Sequence, residues 1–190
     1  MENKNNVKSI VMVGFFAAIT FLGIQAFRIP LPAAIGTPFL HFGHVFVVMG
    51  VLLLGGKKGA IAGTMGLVIF DMLNGYMHSV PDTLFGTIFK CLIMGALFAN
   101  LKTKADGDKH KEYTAAVLSA ITYGAINVVI ELISGTVLLL VAGSNFNAAI
   151  IGSITSVPAT VINAIFMIVI VSLIYAPVKS IYMKIAAVPA

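Results

Sequence analysis

A lysine, Lys90, stands near the middle of PDTLFGTIFKCLIMGALFANL, an apolar stretch running from Pro81 to Leu101. A cation in hydrocarbon costs about 2.5–3.5 kcal/mol on insertion scales, and more in simulations, unless it is paired or faces a wet cavity. The polar groups able to reach Lys90 are therefore where chemistry in this chain begins. Thr83, Thr87 and Lys90 recur at i, i+4, i+7, which puts them on one helical face. Further along, Tyr123, Asn127, Glu131 and Ser134 recur at i, i+4, i+8, i+11, and Ser156, Thr160 and Asn163 repeat the first pattern. Glu131 is the expected counter-charge for Lys90, with Asp71 the second candidate. A buried pair can simply orient helices, with the serines and threonines bonding back to their own backbone. Three converging stripes suit a water-accessible cavity better, and ionisable groups inside a membrane mark substrate or ion paths by default.

The elements carrying these stripes follow from composition. Of 190 residues 59% are apolar and 10% charged, against roughly 25% charged in a soluble domain, and the mean hydropathy is +1.02. The chain reads as an all-α integral membrane protein, a single domain spanning residues 1–190. Its 18 glycines and absent tryptophan predict helices packed through small residues, and continuous rather than alternating apolar runs exclude an outer-membrane barrel. Six spans are expected, at about 9–27, 43–54, 59–73, 82–101, 114–141 and 155–175. The second and third are short and have to tilt, borrow loop residues or cross a thin bilayer. The first is too long for a signal h-region, has no A-x-A-like cleavage site and reads as a retained helix.

Six spans put both termini on one side. That face collects Lys4, Lys8, Lys57, Lys58, Lys102, Lys104, Lys109, Lys111, Lys179 and Lys184, while the opposite loops hold Arg28. Excess lysine marks the inner face, so both termini are expected in the cytoplasm, with 102–112 a cytoplasmic loop. The net charge of +5 thus sorts topology and does not imply nucleic acid. Counting inward from the outer ends, Lys90 lies roughly 12 Å deep, Glu131 roughly 15 Å and Asn163 roughly 12 Å. Above them, RIPLPAAIGTPFLHFGH carries Pro30, Pro32, Pro38, His41 and His44 and reads as a lid; NGYMHSVPD and AGSNFNAAIIGS have a similar character.

Other features carry less. His41, His44 and His78 lack cysteine or acidic partners at metal-ligand spacing, so no metal is expected, and they read as hydrogen-bond donors to a ligand or as ordinary loop residues. Cys91, alone and inside an apolar run, reads as a structural thiol. GVLLLGGKKG does not fit G-x-x-x-x-G-K-[ST], so the chain has no nucleotide loop of its own and is not read as an enzyme. Gly59, Gly63 and Gly66 on the third span, and Gly14 with Ala18 on the first, form surfaces for close helix contact.

The segment LLLGGKKGAIAGTMGLVIFDMLNGY is similar to the LLLGPKxGAxxGxxGxxxxDLLxGY pattern of the S components, the substrate-binding membrane subunits of energy-coupling factor (ECF) vitamin transporters. With six spans in 190 residues and a proline-rich first outer loop, the whole chain resembles that family, most of all the group proposed to carry hydroxymethylpyrimidine or pyridoxine-type vitamins. The resemblance implies capture of a vitamin from outside, and release driven by a transmembrane coupling subunit with two ATPases. ATP and magnesium then belong to those partners, and no cofactor to this chain. An A-x-x-x-A surface that meets the coupling subunit in the family falls here on Gly14 and Ala18. The family places its ligand in the outer half, between the last three helices and the first, third and fifth loops.

The resulting expectation is a small polar aromatic vitamin held by Lys90, Glu131, Asn127 and Asn163, within a wider set of Thr87, Thr160, His41, His44, Asp71 and Tyr76. Phe39, Tyr76 or Phe146 would stack on the ring. Alternatives are an S component for pantothenate, whose carboxylate suits Lys90; an autonomous transporter using Lys90 and Glu131 as a proton-linked switch; and a membrane enzyme built on His41, His44 and Cys91.

Overall fold

The computed structural model describes residues 2–31 and 38–187. Six helices carry the fold: α1 (Glu2–Gln25), α2 (Gly43–Leu54), α3 (Gly56–Leu73), α4 (Val80–Ala105), α5 (Lys109–Val141) and α6 (Phe146–Ala187). Between α1 and α2 the chain forms a short antiparallel ribbon, β1 (Ile29–Pro30) with β2 (Phe39–Leu40), and one 3-10 turn, Met77–Ser79, precedes α4. The intervening Pro32, expected in the same lid, lies outside the described residues.

Four of these helical stretches, those holding α1, α4, α5 and α6, are long and apolar enough to cross a membrane. With α2 at 12 residues, about 18 Å, the second element falls short of a hydrocarbon core of about 30 Å. Its surroundings explain why that is tolerable. It touches each of the other five helices, and Val45, Val47, Val48, Met49 and Val51 are all at most 1% exposed. Protein rather than lipid surrounds α2, so its length need not match the bilayer.

Close approach at this centre depends on glycine. A β-carbon on Gly63 of α3 would lie 2.7 Å from Val47 Cγ1, and one on Gly95 of α4 would collide with the backbone of Gly56. Helices without a hydrophobic drive between them gain their contact from such close packing. Gly59 and Gly66 work in the same way against Val51 and Ala17.

The last outer connection differs from its expected form. Rather than a loop over residues 142–153, the chain turns within a few residues and starts α6 at Phe146. Asn145 is the reason: its side-chain oxygen accepts a hydrogen bond from the Ala148 N–H at 2.9 Å, as a helix N-cap does. Phe146 is 62% exposed and stacks on no site, so this expectation is corrected. Helix α6 runs for 42 residues with Pro158 and Pro177 inside it, far beyond the expected 155–175.

At the opposite end, Asp108 caps α5 by accepting from the backbone N–H groups of Lys111 and His110, which holds its carboxyl below its ordinary range. One turn on, Glu112 gathers three partners: Lys179 of α6, Lys102 of α4 at 3.3 Å and the Tyr175 hydroxyl of α6 at 3.1 Å. Tyr113 adds a bond to the Ser172 carbonyl at 3.1 Å. The ends of α4, α5 and α6 are tied together there.

Candidate functional site

Lys90 is 4% exposed, on the inward face of α4. Its ammonium donates to Asn127 Oδ1 at 2.6 Å and sits 5.7 Å from the centre of the Tyr123 ring, within reach of a cation–π attraction. The expected ion pair with Glu131 is not formed: among the described residues both ion pairs belong to Glu112. Asn127 and Glu131 are one turn apart on the same face of α5, and the amide takes the lysine. Glu131 stays exposed and lines the cavity beside Lys90. Asp71 is not the partner either, because its carboxylate accepts from the Thr83 hydroxyl at 2.6 Å.

The cavity has two lobes. One, of about 130 Å³, is bounded by Lys90, Thr87, Asp71, Asp82 and Phe70. The other, of about 180 Å³, is bounded by Asn127, Thr160 and Asn163. Phe39, His41, His44 and Glu131 line both and so form the shared wall. Nine of the ten expected residues therefore meet around one space, from five helices and the first outer loop. Tyr76 is set back from it, stacking on Phe70 with ring centres 5.9 Å apart.

Each wall is fixed by its own bonds. Helix α2 presents His44, whose Nδ1 shares a hydrogen bond of 3.1 Å with the Tyr123 hydroxyl. His41 accepts from the Gly43 N–H through Nδ1 at 3.1 Å, which leaves Nε2 as its proton-bearing nitrogen. Burial pushes the His41 imidazole down to about 4, so the ring is neutral near pH 7. Asn163 binds the loop on both sides of its amide: Oδ1 accepts from the His41 N–H at 3.3 Å, and Nδ2 donates to the Phe39 carbonyl at 3.0 Å. Asn163 thereby fastens the first outer loop to α6.

Thr160 bonds back to the Ser156 carbonyl at 3.4 Å, and Ser156 to that of Ser153 at 2.8 Å, so part of the third stripe serves its own helix. Ser134 faces a separate groove of about 490 Å³ between α4 and α5, which Glu131 and Asp82 also line.

Sequence reasoning missed three contributors. Asp82 was read as the first residue of a span, although a carboxylate in the first turn of a helix entering an apolar run is a signal of its own. Phe70 lines one lobe, and Arg28 packs behind it: the guanidinium lies 5.4 Å from the Phe70 ring centre and 6.0 Å from that of Phe39, and it donates to Asn74 Oδ1 at 3.2 Å. As the lone outer-loop cation, Arg28 stood out in the charge count without a role. No three His, Cys, Asp or Glu side chains among the described residues are grouped as a metal site.

A buried cation, an exposed carboxylate and two imidazoles surround a small space beneath a loop pinned by Asn163. Against models of known families, residues 4–180 match the ECF-type riboflavin transporter S component. The chain belongs to that family. Comparison with individual curated proteins returned no significant match. As an S component the chain is the substrate-binding membrane subunit of a transporter, and S components work with an ECF module of coupling and ATPase subunits. The family match names riboflavin, and does not support the narrower hydroxymethylpyrimidine or pyridoxine group. On the outer surface of this S component, Gly14 and Ala18 are both exposed, and a β-carbon on Gly14 would meet nothing within 4 Å. That face of α1 is open to a neighbouring helix.

Proposed function

We propose that this S component captures a water-soluble vitamin of the single-ring nitrogen heterocycle type, pyridoxine or hydroxymethylpyrimidine, from outside the cell. The observation that carries the reading is the divided cavity, with lobes of about 130 and 180 Å³ separated by His41, His44 and Phe39. Each lobe is smaller than the roughly 300 Å³ at which drug-sized ligand sites begin, which favours one ring with short polar substituents over a fused-ring ligand. Lys90, Asn127 and Glu131 would bond ring nitrogens and hydroxymethyl groups, His41 would donate through Nε2, and Phe39 would face the ring. Both termini would lie in the cytoplasm, with six crossings counting the buried α2 and its partner α3, whose Ile61, Met65 and Ile69 are exposed. Gly14 and Ala18 would meet the coupling subunit, and ATP with magnesium would be used on its two ATPases.

The family name favours a second ligand, riboflavin. Three fused rings and a ribityl chain would have to occupy both lobes together, with the wall between them displaced.

Isothermal titration of ligand-free protein with pyridoxine, hydroxymethylpyrimidine, riboflavin and pantothenate separates these readings. Tightest binding by a single-ring compound is expected, with the same compound found by mass spectrometry in protein purified from its host. Quenching of riboflavin fluorescence at stoichiometric protein, with no heat from the single-ring compounds, would replace the first reading by the second. Uptake into liposomes by this chain alone, without ATP, would instead make it an autonomous transporter.

A further inference from the structure

At the end of the bundle away from the vitamin cavity, a groove of about 390 Å³ lies between the start of α1, the α2–α3 turn and the last turns of α6. Its floor is apolar, from Val11, Met12, Leu54 and Ile185, and Lys8, Lys58 and Tyr182 supply its polar lining. Neither the cavity nor the Glu112 cluster uses any of these side chains. Lysines beside an apolar trough, at the helix ends, complement a molecule with a fatty tail and an anionic head. Hydrophobicity alone would suit any lipid; the two ammonium groups select charge. Lys57 and Lys184, both exposed, are neighbours in sequence of lining residues and strengthen the local positive field.

We infer that this groove is a binding site for one anionic phospholipid, its acyl chain along Val11 and Met12 and its phosphate between Lys8 and Lys58. The site needs no knowledge of the vitamin. A lipid held there would touch α1, the α2–α3 turn and α6 at once, joining the first and last helices at an end where the ribbon and Asn163 cannot reach.

Native mass spectrometry of the full chain in detergent, with phosphatidylglycerol or phosphatidylcholine of identical acyl chains, tests this directly. One phosphatidylglycerol per chain is expected to survive, in preference to phosphatidylcholine. Each lysine is worth about fivefold near an anionic headgroup; the Lys8→Gln/Lys58→Gln variant should lose about 20-fold in retention. Met12→Trp, which keeps the charges and fills the trough, should also lose the lipid. Thermal unfolding of each variant establishes that it is folded. Equal retention of the two lipids, or undiminished phosphatidylglycerol on both folded variants, overturns the inference. So does a double variant that keeps the lipid and fails only to assemble with the coupling and ATPase subunits, which would make the groove a protein contact.

Discussion

Lys90 and Glu112 are both charged residues with little exposure, and the molecule treats them in opposite ways. Glu112 is met by two lysines and a tyrosine hydroxyl from two neighbouring helices, so its charge is neutralised where it stands. Lys90 has one neutral amide and the face of a ring, while the nearest acidic groups line the cavity without pairing to it. A charge whose partners are all protein is a fastening. One whose counter-charge is left at a distance, with space between, keeps bonding capacity for something that arrives later. With the proposed ligand site, the comparison divides the bundle into a fastened end at Glu112 and an end at Lys90 that would serve recognition.

Four substitutions break or sharpen that division. The largest effect is expected from Lys90→Met, which should weaken vitamin binding about 100-fold, near 3 kcal/mol, because a buried charged contact is lost. Its thermal stability should hold or rise, since replacing a buried ion by an apolar side chain of similar length is commonly neutral or favourable. Titration calorimetry beside a melting curve in detergent reads both; a large fall in melting temperature would make Lys90 a fastening too. Glu112→Gln should show the reverse, a loss of about 2 kcal/mol in stability with vitamin affinity unchanged, because two lysines lose their anion. Asn127→Asp places a carboxylate where the amide now holds Lys90, converting the recognition end to the arrangement of the other. Affinity should drop about tenfold, near 1.4 kcal/mol, if a bound ligand has to compete with a fixed anion. Thr83→Val is the mildest: Asp71 loses one hydrogen bond, worth about 1 kcal/mol, seen as a small shift of the melting midpoint.

Much of this arrangement was legible in the chain. Polar residues at helical spacing identified three faces, and counting depth from the span ends brought Lys90, Glu131 and Asn163 to a similar level. Asn127 and Glu131 share one face of α5 a turn apart, about 6 Å along the axis, a step too small for depth counted from a span end to resolve, and charge therefore favoured Glu131 where Asn127 holds Lys90. The length of α6 was obscured by glycine, serine and asparagine around residue 144, which read as loop until Asn145 is recognised as a cap. The role of α2 was out of reach for a different reason. Its apolar run is equally consistent with a short span and with a core helix, and only the placement of five neighbours decides between them. The bond from His44 to Tyr123 joins residues 79 apart in sequence, with no local signal at either.

Helix α6 connects the two ends that the comparison separates. Asn163 holds the outer loop, and Tyr175 meets Glu112. Tyr175 is 12 positions beyond Asn163, about 18 Å of helix, and the stretch is free of proline. Over that distance an α-helix behaves as a strut, so the rod that forms one wall of the cavity also fixes the spacing between the loop fastened by Asn163 and the Glu112 junction.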